Sequence, residues 1–224
     1  MTRLFRSMRW IAGRRPRTVG TFAFVLLLAV AVMPVAANAT GRSPLAPFLL
    51  KAGEVGGFEP GNAQVFRSVG AVREGSGARP ATPTIRRYEA EGLLEAAIVR
   101  IHDRAEAAAE GISSVFEFEA PAGAKAEMKA EKEALRNDLN PAGSEYVVLR
   151  QFRVPWVTSA AGFALLPNRE ALRLGAESGI AKGLSVEGSC LITVGILRPW
   201  SKEVIEPVRS GMQAISARTG SVCP

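Results

Sequence analysis

"KGLSVEGSCLITVGILRPW", Lys182 to Trp200, holds two strand-like runs, "KGLSVE" and "SCLITVGIL", broken at Glu187-Gly188. A turn pair between two apolar runs, the second rich in β-branched residues, is how a hairpin looks in sequence. Toward the N-terminus come "EALRLGA" (170–176), "SAAGFALL" (159–166) and "EYVVLRQFRV" (145–154), separated by Gly179, Pro167-Asn168 and Pro155. Short runs punctuated by such residues predict an antiparallel meander. Toward the C-terminus the period lengthens. From Trp200 toward Thr219, Val204, Val208, Met212 and Ile215 recur at i, i+4, i+8 and i+11, which is one face of a helix. Pro207 either starts its regular part or kinks it.

The first half adds helices and strands in alternation. "SPLAPFLLKAGEVGGF" opens with Ser43 as an N-cap and Pro44 at the first helical position, and Gly53 or Gly56-Gly57 ends the short helix that follows. "AQVFRSVGAV", Ala63 to Val72, reads as a strand. "REGSGARPATPT", Arg73 to Thr84, has the composition of a mobile surface loop, and Thr82-Pro83 opens a short helix closed by Gly92. "LLEAAIVRIH", Leu93 to His102, is read as a strand because Ile98, Val99 and Ile101 are β-branched, although its alanines and glutamates also permit a helix from Arg86 to Glu110. "ISSVFEFEA" alternates Ile112, Ser114, Phe116 and Phe118 with Ser113, Val115, Glu117 and Glu119, a half-buried strand. "PAGAKAEMKAEKEALRNDLNPAG" places Ala124, Met128, Leu135 and Leu139 on one helical face, with Lys125, Lys129, Lys132, Glu133 and Arg136 as a solvated face around them, and stops before Pro141. The class is α+β: a mainly antiparallel sheet with packed helices, preceded by an N-terminal signal or transmembrane helix.

That preceding segment is residues 1–39. Arg3, Arg6, Arg9, Arg14, Arg15 and Arg17 come first with no acidic residue among them, and then an apolar run from Phe22 to Val35. The run is shorter than the roughly 20 residues a membrane span needs. Pro34 interrupts its end, and Ala37-Asn38-Ala39 is a small-x-small cleavage site, so the expected mature chain begins at Thr40. An uncleaved signal-anchor is the alternative, because Val19 to Ala37 is nearly continuous apolar sequence. No cysteine near the cut provides for lipidation. Arg14-Arg15 is not followed by the apolar pair of a twin-arginine signal, which favours export of an unfolded chain. Removing residues 1–39 takes six of the 28 Lys and Arg and none of the 21 Asp and Glu, leaving 22 basic residues against 21 acidic. The basic character of the whole chain belongs to the signal, and it gives no ground for nucleic-acid binding. Residues 40–224 have the length of one domain.

Export bears on the two cysteines, Cys190 and Cys223. The strand from Cys190 to Pro199 climbs about 30 Å, and the helix from Trp200 to Arg218 returns about 28 Å. "GSVCP" therefore comes back to the level of Cys190, and a Cys190–Cys223 disulfide is expected. A buried free Cys190, or an intermolecular bridge from the tail, are the other outcomes.

Catalytic patterns are sparse. His102 is the single histidine, in "RIHDRAE", where Asp103 is only its chain neighbour, and one histidine without clustered cysteines provides no metal site. "GLSVEG" has Glu187 where a nucleophile elbow needs its second glycine, and no histidine follows Ser185. Neither a phosphate-binding loop nor a dinucleotide fingerprint is present, and no cofactor is called for. "REGSGARP" is rich enough in glycine to hold an anion, but loop freedom accounts for the same composition. Trp156, in "VPWVTSAAGF", and Trp200 are the residues to inspect for ligand or partner contact, although aromatics in such places also pack in cores and at sheet edges.

Taken together, "LLKAGEVGGF", "YEAEGLLEAAIVRI", "SSVFEFEAPAGAKAEM", "VEGSCLITVGI" and "ISARTGSVCP" resemble, in that order, small exported actinobacterial proteins of unknown function. These are allied to the PsbP-like α/β/α sandwich domains of mycobacterial lipoproteins and of extracellular sensor domains of membrane kinases. The resemblance covers Leu45 to Pro224 and brings no functional residue with it, and this chain departs from the lipoprotein members in lacking the lipidated cysteine. It implies a binding or scaffold role. Three readings follow. One is a non-catalytic exported domain taking an apolar ligand or an envelope protein in a groove between helix and sheet. Another is a structural partner of an envelope complex, in contact with the membrane only through residues 1–39 if these stay uncleaved. The last is a small hydrolase built around His102 or paired carboxylates.

Overall fold

The computed structural model describes residues 43–75, 82–105, 109–139, 147–157, 159–167, 169–173, 178–199, 203–219 and 223. The segment expected to be a signal, with the expected cleavage residues Ala37, Ala39 and Thr40, lies outside them, as does Trp200.

The hairpin read from the sequence is the spine of the sheet. Strand β7 (Ser178–Glu187) pairs antiparallel with β8 (Cys190–Pro199), from Glu187↔Cys190 to Ser178↔Pro199. Gly188 opens the two-residue connection at φ +59, a conformation that glycine enters without steric cost. The meander continues through β6 (Ala160–Pro167) to β5 (Val147–Phe152). On its other side β8 pairs with β4 (Glu110–Phe118), and β4 with β3 (Leu93–Asp103). The far edge of β3 is shared by two short strands, β1 (Phe58–Pro60) on Ile101–Asp103 and β2 (Gln64–Phe66) on Ala96–Ile98. The result is one eight-stranded sheet in which every ladder is antiparallel.

Helices cover both faces. Helices α1 (Val69–Gly75), α2 (Thr82–Ala90) and α3 (Pro121–Leu139) belong to one layer, where Tyr88, Ala124, Met128 and Leu135 join Phe118, Leu184 and Leu191 in a core. The short α4 (Arg169–Arg173) follows β6. Helix α5 (Ile205–Thr219) and a 3-10 turn (Ala46–Phe48) close the opposite face over Val115, Ile192, Val194 and Ile196. Pro207 is the third residue of α5 and starts its regular part. The α+β reading therefore stands, as an α/β/α sandwich.

Double coverage explains where the pattern reading departs from the structure. Strand β4 is not half-buried: Ser113 and Val115 on one side and Ser114 and Phe118 on the other are all buried. Its serines are tolerated because each has a partner. Ser114 and Thr193 share a hydrogen bond of 2.6 Å, and the Ser113 hydroxyl accepts the Leu50 N–H at 3.1 Å. Within Ala63–Val72 only Gln64–Phe66 is strand. Val69 onward is helical because the Ser68 hydroxyl accepts the Ala71 N–H at 3.1 Å and caps a turn. The "EALRLGA" run is helical at its start, in α4, and Gly179 lies inside β7 rather than before it. The helix expected after Ser43 is reduced to the 3-10 turn, and the Ser43 hydroxyl accepts the Leu45 N–H at 3.1 Å. Helical residues also extend into both ends of the Arg73–Thr84 stretch, through Gly75 and from Thr82.

The C-terminus is fastened at two points. Cys190 and Cys223 form a disulfide, with Cα atoms 5.8 Å apart. The Arg218 guanidinium at the end of α5 donates to the carbonyls of Pro47 and Leu49, each at 2.7 Å, and pairs with Glu54. Between these points α5 packs tightly: a Cβ at Gly183 of β7 would stand 2.9 Å from both Met212 and Val208. At that point α5 and β7 are in direct contact, with no gap between them.

Candidate functional site

Trp156 sits on the connection from β5 to β6, in "RVPWV" (153–157). Val154 and Val157 on either side of it are buried in the core under α5. Between them the chain must bulge outward, and α5 holds the bulge in place. The Arg209 guanidinium donates to the Arg153 carbonyl at 3.0 Å, and the Gln213 amide donates to the Pro155 carbonyl at 3.2 Å. Arg209 also lies 5.5 Å from the centre of the Phe152 ring. Trp156 is left at φ +66 with 93% of its surface exposed. Proline followed by a positive φ is the pattern of a type II turn, whose second central position ordinarily takes glycine or asparagine. A bulky aromatic there is strained, and strain of this kind gathers at sites of function.

A second cluster lies in the layer of α1 to α3. The Arg87 guanidinium of α2 meets the Glu127 carboxylate of α3 side-on, at 2.6 and 2.8 Å, with the Glu127 side chain 1% exposed. This pairing raises the Arg87 pKa. Lys182 of β7 donates to Glu131 at 2.6 Å. Burial alone would raise the pKa of Glu131, but the charge and hydrogen bond of Lys182 bring it below the ordinary carboxylate value. Glu91, just past α2, is pushed up to about 7 by burial, by hydrogen bonding to Glu127 and by the charge of Glu127. Burial also raises the pKa of Tyr88 well above its ordinary value. Three carboxyls thus face two cations, and the proton held by Glu91 balances them. Glu127 and Glu131 were missed by pattern reading, although both fall on the Ala124–Met128–Leu135 face at helical spacing.

The remaining candidates separate. His102 is exposed on β3, opposite Glu59 and Glu110, whereas Asp103 points to the other face and pairs with Arg198 at 2.9 Å. Adjacent residues of a strand face opposite ways, so the two do not form a dyad. Ser185 is buried within β7, not on a strand-to-helix turn. Among the described residues no three His, Cys, Asp or Glu side chains could hold a metal ion, and no helix is long and apolar enough to cross a membrane.

No protein-family model matches the chain, and no curated protein matches it. Among solved structures, the crystal structure of the extracellular domain of PknH from Mycobacterium tuberculosis is similar, with a TM-score of 0.51 and 11% identity. The likeness covers 80% of this chain and 99% of that one. At such low identity it speaks for the fold, and it agrees with the part of the sequence resemblance that pointed to extracellular domains.

Proposed function

We propose that this chain is an exported, non-catalytic domain that binds a partner protein outside the cytoplasm, and that the turn carrying Trp156 is its recognition element. The observation that carries this reading is the pinned, strained and almost fully exposed indole. Large aromatics anchored on a rigid frame are what binding hot spots are made of. The Cys190–Cys223 disulfide supports placement in an oxidising compartment, as does the signal-like segment before Thr40. The fold shared with an extracellular domain is compatible with both.

Two measurements test the reading. Intact mass of the native protein from medium and from membranes, before and after reduction with thiol alkylation, is expected to show a chain beginning at Thr40 whose thiols react only once reduced. A diazirine-bearing tryptophan analogue at position 156, which keeps the indole, is expected to capture one defined protein in the cell, and the same group at exposed Leu94 is not. Equal capture at both positions, or none at 156, would overturn the proposal. A full-length mass confined to membranes would favour the envelope-anchored alternative.

A further inference from the structure

We infer that the partner engages β5 as an added strand bearing acidic side chains, with Trp156 packed against its end. This inference rests on the reading of Trp156 as a recognition element, and three observations extend it to the strand beside it.

Among the described residues β5 ends the sheet. It pairs with β6 through six successive residues without a register shift, so its outer edge is regular. A terminal strand presents the N–H and C=O groups of alternate residues along its free side, a template for another strand. Natural edges are commonly blunted by proline, by a bulge or by brevity, and Val147–Phe152 has neither proline nor bulge.

Charge selects the occupant. The run from Val147 to Val157 contains Arg150 and Arg153, both exposed, and no aspartate or glutamate. A second copy of β5 pairing antiparallel in the register centred on Arg150 would set that arginine against its own counterpart, which disfavours that symmetric dimer. Three residues apart, Arg150 and Arg153 face opposite ways along an extended chain, so a segment with carboxylates at alternate positions meets Arg150 on one face, and Arg153 adds attraction at longer range. Trp156 follows Phe152 by four residues, and α5 fixes its turn, so the edge and the indole form one prearranged surface. An anionic lipid surface would also attract arginine and tryptophan, but it would leave the β5 amides without partners of strand geometry.

The test uses the native, disulfide-closed protein labelled with nitrogen-15. The probes are an eight-residue peptide alternating glutamate and valine, its lysine-for-glutamate counterpart, and a version N-methylated at alternate residues. The glutamate peptide is expected to shift the amides of residues 147–152 and the Trp156 indole saturably. Affinity is expected to fall at least tenfold for the lysine and N-methylated peptides, and in Trp156→Ala and in the double variant R150E/R153E. Equal response to the glutamate and lysine peptides, or shifts elsewhere in the sheet, would overturn the inference. Binding to phosphatidylglycerol vesicles with the β5 amides unmoved would overturn it in favour of a membrane surface. A crosslink at 156 that persists while no peptide moves β5 would defeat the strand addition and leave the proposed function standing.

Discussion

Trp156 bears about 1–2 kcal/mol of backbone strain from its positive φ, and with 93% of its surface exposed it has little packing to offset this. Asparagine tolerates the same conformation. Trp156→Asn is therefore expected to leave stability unchanged or raise it by up to about 1 kcal/mol in urea unfolding, while removing partner binding. A loss of stability larger than that would mean the indole is structural. The sequence showed a tryptophan in a turn, but not which way it faces. That is decided by Val154 and Val157 taking the two core positions around it, and by Arg209 and Gln213, more than 50 residues later, holding the carbonyls.

At the scale of elements, the charges between α2 and α3 are a hinge of stability. Glu127→Ala leaves Arg87 facing a buried gap, and a cost of about 3 kcal/mol is expected from chemical unfolding. Lys129→Ala, on the exposed face of the same helix, is expected to change stability by less than about 0.5 kcal/mol, and equal effects would refute the distinction. Helix α3 itself was legible from its apolar period. The burial of Glu127 was not read, because a glutamate beside lysines looks solvated until the partner helix brings Arg87. The closing of the sandwich by α5 was more fully legible: rise per residue alone returned the tail to the level of Cys190. Removing that disulfide as C190A/C223A is expected to cost about 3.5 kcal/mol, since the bond closes a separation of 33 residues. Reduction of the native protein should lower its urea midpoint correspondingly, and an unchanged midpoint would contradict it.

For the whole molecule the same buried charges set a dependence on pH. The folded state holds the Glu91 carboxyl at about 7 against an ordinary 4.5, so it keeps a proton that the unfolded chain gives up. The stabilisation from this group is complete below the unfolded value and is lost as pH rises through about 7. Burial raises Glu117, helped by the nearby charge of Glu95, and it raises Glu187 too, so both add in the same direction. Between pH 5 and 8 stability is expected to fall by about 1 kcal/mol, allowing for the solvent screening of a partly exposed group. Glu91→Gln should flatten that slope, and a slope unaffected by the substitution would place its origin elsewhere. The antiparallel architecture, most of its strands and the C-terminal helix could be read from periodicity and turn residues. The coverage of both faces could not, because it depends on which distant helix arrives over each side.

The seam between β4 and β8 joins Ser114 to Thr193 across 79 residues, and α5, which covers it, comes later still. The strands of the first half therefore wait for nearly the last residues of the chain before the middle of the sheet can form. Closing contacts so far apart is slow, and it comes last in synthesis. A polypeptide with this order of contacts leaves the ribosome nearly whole before its central seam can close, so a chain cut short of α5 is expected to leave that seam uncovered.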